Sequence, residues 1–178
     1  MNPIIEETRF VKFSHDIEEH IPRLRRYARA LVSDASRADD LVQDTLERAL
    51  NKFHLWRRGS DLRAWLFTVM HNVFVNQVRQ GGMASSFVPL EDGAIDIPVK
   101  PNQEDGLVMR DLASALGQLP EEYREVVLLV GLEQMQYGEV AEVLGIPVGT
   151  VMSRLSRGRE QLRLIMAGNQ VSRLRRVK

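Results

Sequence analysis

Arg154 and Arg157, with Thr150 and Ser153 one turn ahead of them, are the side chains here best suited to chemistry with a polyanion. They lie on one face of a helical pattern starting at Val148. Gly149, Thr150, Ser153, Arg157 and Gln161 share that face and Arg154 stands on its flank. Val148, Val151, Leu155, Leu162 and Met166 recur opposite at steps of three, four and seven, which makes an apolar stripe. Small and short polar groups at a helix start allow close approach to phosphate, which the helix N-terminus attracts, and Arg forks onto guanine edges.

The residues upstream are those needed to aim such a helix. Gln136 and Glu139 stand at the N-cap and N3 positions of a capping-box-like start, although Gln caps less well than Ser or Thr. Val140, Ala141, Val143 and Leu144 supply a buried stripe. Gly145 falls where a left-handed residue ends a helix, and Pro147 opens the next one. Together these spell a helix-turn-helix, whose second helix enters the major groove of duplex DNA. A surface hairpin with solvated arginines would share the charges but not the agreement of cap, turn, core phase and charge.

Three further constellations lie in the first half. Asp40, Gln43, Asp44, Glu47 and Asn51 share one face of a helix whose other positions include Leu41, Val42, Leu46, Ala49 and Phe53. Such a carboxylate strip can dock on a basic helix of a partner. Taken alone, its spacing favours an ordinary solvated face. His54 and Trp56 sit beside Lys52, Arg57 and Arg58, where aromatic groups among cations can stack an unpaired base; a Trp at a loop end is equally well a cover for the core. Finally, Thr68, Asn72 and Arg79 form a polar strip between two apolar sides, Leu62, Trp65, Leu66, Val69 and Val73 on one and Phe67, Phe74 and Val78 on the other. That edge can face bases, or the helix can be a central core helix.

Composition limits the possibilities. A length of 178 residues suits one or two small domains. The formal net charge is zero, yet Arg154, Arg157, Arg159, Arg163, Arg173, Arg175, Arg176 and Lys178 face only Glu160 over the same stretch. This asymmetry implies two kinds of partner surface. Absence of cysteine excludes disulfides, thiolate redox sensing and Cys-ligated zinc. His15, His20, His54 and His71 have no metal-ligand spacing, no phosphate-cradling Gly loop is present, and the carboxylates fall on outward helical faces, so no enzyme and no cofactor are expected. With no signal sequence or long apolar run, the expected protein is soluble and cytoplasmic, without membrane insertion or an obligate homo-oligomer.

The elements that carry these residues are all helical. The first module begins with Ile21, Leu24, Tyr27, Ala28 and Leu31 interleaved with Arg23, Arg25, Arg26 and Arg29. After a break at Ser33-Asp34, Ser36 is expected to cap a helix to about Phe53, and Ser60 or Asp61 one to about Arg79, with a loop over Lys52–Asp61 between them. Gly81-Gly82, Pro89, Gly93, Pro98 and Pro101 then punctuate a stretch with Glu91, Asp92, Asp96 and Glu104 against Lys100, an acidic extended linker. The second module follows, with a helix through Leu107, Leu112, Ala115 and Leu116, a start at Leu119-Pro120, a helix over Tyr123 to Leu129, and the helix-turn-helix.

The words DDLVQDTLERAL (Asp39–Leu50), RAWLFTVMHNVFVNQVR (Arg63–Arg79), LPEEYREVVLL (Leu119–Leu129) and YGEVAEVLGIPVGTVMSRLSRGREQL, in that order, resemble the extracytoplasmic-function (ECF) sigma factors of the sigma-70 family. The resemblance runs from about Phe13 to Met166. It implies an all-α fold of two small helical domains, a sigma domain 2-like bundle at 13–80 and a sigma domain 4-like bundle at 105–167. A flexible acidic linker at 81–104 joins them, with an N-terminal extension at 1–12 and a basic tail at 168–178. It further implies that Asp40, Gln43, Asp44 and Glu47 grip the β′ clamp coiled coil of core RNA polymerase, and that domain 4 packs on the β flap. The loop around His54, Trp56, Arg57 and Arg58, with Asn72 and Arg79, would hold the non-template strand of the −10 element. Thr150, Ser153, Arg154, Ser156 and Arg157 would contact the −35 duplex, and the linker would thread the RNA path.

Promoter DNA, core polymerase and an anti-sigma factor are therefore the expected partners. A sigma mimic, which sequesters an anti-sigma factor without binding promoters, is the alternative. Mimics of that kind carry a receiver domain and a degraded recognition helix, whereas this chain keeps Arg154 and Arg157. Two departures stand out: Met152, where relatives often have Lys or Arg, and the basic run from Val171 to Lys178, an arm for phosphate or a frayed end.

Overall fold

A computed structural model of the chain describes the backbone of residues 3–80 and 103–176 apart from Ser33 and Arg58, and side chains within residues 8–80 and 108–168. Most of the acidic linker, the Arg58 side chain and the side chains of the basic tail from 169 onward lie outside the described residues.

The fold is all-α and consists of two helical bundles. The first holds α1 (Pro3–Glu18), α2 (Ile21–Val32), α3 (Ala35–Asn51) and α4 (Leu62–Arg79), with one 3-10 turn at Phe53–Leu55. The second holds α5 (Gln103–Gly117), α6 (Glu121–Gly131), α7 (Tyr137–Leu144) and α8 (Val148–Arg176).

In α2, Leu24, Tyr27, Ala28 and Leu31 fall at helical spacing and are all buried, while its arginines are left on the remaining faces. Helix α4 is the core helix of its bundle. Leu62, Leu66, Phe67, Val69, Met70, Val73 and Phe74 are buried on it, with Tyr27 and Phe67 edge to face at 5.1 Å. The start of α3 differs from expectation: Asp34, not Ser36, is the N-cap, and its carboxylate accepts from Arg37 N at 2.8 Å. A carboxylate at the break itself reaches the orphan amides that Ser36, already inside the helix, cannot. Asp61 caps α4 in the same way, accepting from Ala64 N.

Helix α1 crosses the boundary expected at residues 12 and 13. It starts at Pro3, and Phe13 and Ile17 are buried. Phe10 packs edge to face on Phe53 at 5.2 Å, so part of the supposed extension covers the bundle. At the other end α8 continues to Arg176, so the backbone of most of the basic tail is helical and continuous with it.

The bundles pack against each other. Helix α2 lies on α5 and α6, and α4 lies on α7. One continuous cluster of buried apolar groups includes Leu24 and Leu31 of the first bundle and Leu116, Leu119 and Leu128 of the second.

Candidate nucleic-acid interface

The helix-turn-helix is built as its residues dictate. Glu139 Oε2 accepts the backbone N–H of Gln136 at 2.7 Å, which satisfies an orphan donor at the start of α7. Gly145 ends α7 at φ 63° and ψ 35°, the left-handed region where a Cβ is costly. Ile146 N donates to Ala141 O and Gly145 N to Glu142 O, the paired bonds of a Schellman turn. Pro147 O then accepts from Thr150 N and Val151 N, opening α8 at once.

Val151 and Leu155 are buried, and they set the rotation of α8. Val148, expected on the same stripe, is 44% exposed. It occupies the first turn, ahead of the point where α8 meets the bundle. The missing step in the stripe is Gly158, unremarked in the sequence although it lies one turn beyond Leu155. A Cβ there would stand 2.8 Å from Val127 Cγ2 and 3.2 Å from Tyr123 Cβ, so α8 crosses α6 at a contact that admits only hydrogen.

That rotation leaves Ser153, Ser156 and Arg157 exposed and Thr150 half-buried on the outward face. Arg154 Nη2 lies 3.7 Å from Glu122 Oε2, an ion pair at the surface that a phosphate can replace. Met152 is 52% exposed on the same helix, where it offers no charge.

In the first bundle the expected residues fall into three situations. Asp40, Gln43, Asp44, Glu47 and Asn51 are all exposed along α3, a continuous polar edge. Asp44 Oδ2 accepts from Gln77 Nε2 at 2.7 Å, and the two line a polar groove between α3 and α4 together with Glu47, Arg48 and Asn51. His54 and Arg57 are exposed, but Trp56 is packed on Phe13 at 5.5 Å with its Nε1 buried and without a partner, so the indole covers the core. Asn72 is exposed on α4 and donates to Thr68 O, and Arg79 is exposed at the end of that helix.

Sequence reasoning missed a set of charged groups between the bundles. Arg124 Nη1 donates to Leu31 O at 2.6 Å and its Nη2 to Gly117 O and Leu119 O at 2.8 and 2.7 Å, so one guanidinium holds the last carbonyls of α2 and α5. Burial lowers its pKa, against the pull of Glu121 and Glu125. Glu133, 1% exposed, takes Arg26 Nη2 at 2.9 Å. Glu125 Oε1 lies 2.6 Å from His71 Nδ1. Burial, with Glu125 and Glu133 nearby, pushes the Tyr27 phenol well above its ordinary range. The only available signal was the mixed polarity of LPEEYREVVLL, which says that charge is present without saying what it faces.

Among the described residues no three His, Asp or Glu side chains group as a metal site, and no helix is long and apolar enough to cross a membrane.

Comparison with known proteins fits this architecture bundle by bundle. A family model described as the sigma2 domain of PhyR matches residues 17–71, and one described as sigma-70 region 4 matches residues 109–162. The ECF RNA polymerase sigma factor EcfG of Rhodopseudomonas palustris is 38% identical over 153 residues, covering 85% of this chain and 83% of the relative. The chain belongs to the ECF sigma factors of the sigma-70 family.

Among other relatives, the ECF sigma factor SigL of Mycobacterium tuberculosis is 33% identical over 158 residues, 88% of this chain and 89% of that one. The sigma factor RpoE of Bartonella quintana, solved in complex with the anti-sigma factor NepR, superposes with a TM-score of 0.72. It is 33% identical, with 88% of this chain and 97% of that one covered. CnrH, solved with the cytosolic domain of CnrY, gives 0.64 at 26% identity over 88% of each chain. Sigma factors are not enzymes; this one works by binding, in transcription.

Proposed function

We propose that this sigma factor joins core RNA polymerase, directs it to promoters with −10 and −35 elements and promotes opening, and that an anti-sigma factor holds it inactive. The observation that carries the reading is the setting of α8. Val151, Leu155 and Gly158 lock it into its bundle and turn Ser153, Ser156 and Arg157 outward. On this reading those three, with Thr150 and Arg154, take the −35 duplex in the major groove.

The exposed carboxylates Asp40, Asp44 and Glu47, with Gln43, dock on the basic clamp coiled coil of β′, where opposite charge steers association. The second bundle packs on the β flap. His54, Arg57 and Arg58, with Asn72 and Arg79, hold the unpaired non-template strand. The exposed His54 and the half-buried Trp56, which packs on Phe13, are the rings of that loop on which an unpaired base stacks. An anti-sigma partner is supported by the similarity to a sigma factor solved with one.

Run-off transcription with purified core polymerase tests the reading. Promoter-specific transcripts that depend on this chain are expected. Their absence from every genomic template, with core enzyme active on a control sigma factor, would overturn it.

A further inference from the structure

Two apolar side chains stand exposed in the first turns of α8. Val148 is 44% exposed and Met152 52%, and neither is part of the apolar core. Four residues apart on a helix, they are neighbours on its surface. One turn further the same row reaches Ser156, and beside it runs a second row of Gly149, Ser153 and Arg157, all exposed. The apolar pair therefore borders the polar row on the part of the recognition helix that meets base edges in a helix-turn-helix. A Cβ added at Gly149 would meet nothing within 4 Å, so the helix surface beside the pair is bare and open to close approach.

We propose that Val148 and Met152 read thymine: together they take the C5-methyl group of one thymine in the −35 duplex, which makes an A·T pair at that position a determinant of specificity. The proposal rests on the promoter reading above and names what that site prefers.

Only one group in the major groove has the matching chemistry. Guanine, adenine and cytosine present hydrogen-bonding edges alone, and thymine adds a methyl. An isopropyl or thioether group set against a hydrogen-bonding edge strips that edge of water and gives nothing back, which is costly. Set against a methyl, it removes apolar surface from water on both sides. A single exposed apolar residue is ordinary on a protein surface. A pair one turn apart, on the face that also carries Ser153 and Arg157, is a patch with a direction. Met152 suits it because an unbranched thioether chain adapts to the groove wall.

The missing charge has its own consequence. A cation at position 152 would hold phosphate and strengthen binding to every sequence alike. Methionine adds nothing to phosphate contact, so whatever it contributes depends on the base it meets.

The test uses holoenzyme, the full chain with core polymerase, on a promoter that it transcribes in the run-off assay. Each thymine of the −35 element, on either strand, is replaced in turn by uracil, which keeps the base pair and removes only the methyl. At one thymine, or at two adjacent ones, this should weaken promoter binding about four-fold, the factor for one apolar carbon taken out of water. M152A should bind the thymine promoter more weakly by a similar factor and no longer distinguish uracil there. V148A should do so in part. Both positions are exposed, so alanine leaves α8 seated on Val151 and Leu155. M152K should also lose the distinction, while the log–log salt dependence steepens by about one.

Equal binding of thymine and uracil at every position would overturn the proposal, and a loss of affinity in R157A would then leave the promoter reading standing without it. A methyl effect that persists in both M152A and V148A would overturn the assignment to this pair. Failure of M152A to assemble with core polymerase, with uracil bound as tightly as thymine, would give the patch to polymerase instead. Absence of any promoter-specific transcript would remove the promoter reading and this inference with it.

Discussion

Substitution of Gly158 separates two opposed effects on one helix. An alanine in place of glycine inside a helix gains about 1 kcal/mol from backbone entropy. At Gly168, where a Cβ would meet nothing within 4 Å, that gain should appear alone, reduced by proximity to the end of α8. At Gly158 the same Cβ lands 2.8 Å from Val127 Cγ2 and 3.4 Å from Tyr123 O. A β-branched side chain and a backbone oxygen yield little, so α8 must move away from α6. Overpacking of this kind costs about 1–3 kcal/mol. The net for G158A is then a loss of about 0–2 kcal/mol, and the two alanine variants should differ by about 1–3 kcal/mol. Urea denaturation of both variants measures that difference. Because the displaced helix carries Arg154 and Arg157, affinity for −35 duplex should fall in G158A and stay unchanged in G168A. Equal stabilisation by the two substitutions would refute the close crossing of α6 and α8, and with it the account of how α8 is aimed.

Arg157→Ala should flatten discrimination among −35 variants by about 1–3 kcal/mol; an equal loss across all sequences would reassign the guanidinium to phosphate, and an unchanged affinity would remove it from the interface. Asp44→Arg should weaken association with core polymerase at least ten-fold, since a carboxylate facing a basic helix becomes a like charge, and normal core affinity would refute the docking strip. His20 has its pKa lowered, chiefly by burial, with Asp61 opposing. The unfolded chain therefore binds more protons just below pH 6.5, so stability should rise with pH through that window and level off above it. His20→Gln should flatten this slope in thermal denaturation, and an identical slope in both proteins would show that His20 does not set it.

What could be read in the sequence was whatever local periodicity and turn chemistry determine. The stripe of α7, the left-handed Gly145 and the opening of α8 after Pro147 depend only on residues within a few positions of one another, and the structure has all three. The start of α4 falls at Asp61, one of the two caps expected, and that of α6 at Leu119-Pro120, although α6 runs on to Gly131, past the expected Leu129. Misreadings occurred where a distant partner decides. The cap of α3 is a local exception: Ser36 resembles a cap as well as Asp34 does, and only the extended backbone at Asp34 decides between them. The helix over Pro3–Glu18 has too few apolar positions to announce itself, and only Phe53, Trp56 and Trp65 give Phe13 a place to bury. Trp56 itself, open in sequence to either role, packs on Phe13 in that same ring cluster and stays half-buried.

The charges show most sharply why the rest was hidden. Arginines at helical spacing on α2 look the same whether they face phosphate, solvent or a carboxylate far along the chain. In the folded molecule Arg23 and Arg26 meet Glu133, Arg63 meets Glu139, and Arg154 meets Glu122, all acids of the second bundle. Arg23, Arg26 and Arg63 are thus paired with acids across the two bundles, and Arg154 with one inside its own bundle. The groups assigned to partners lie elsewhere: Asp40, Asp44 and Glu47 on α3 and Arg157 on α8 stay exposed while these pairs are made, so the pairs between the bundles leave the proposed partner surfaces uncovered.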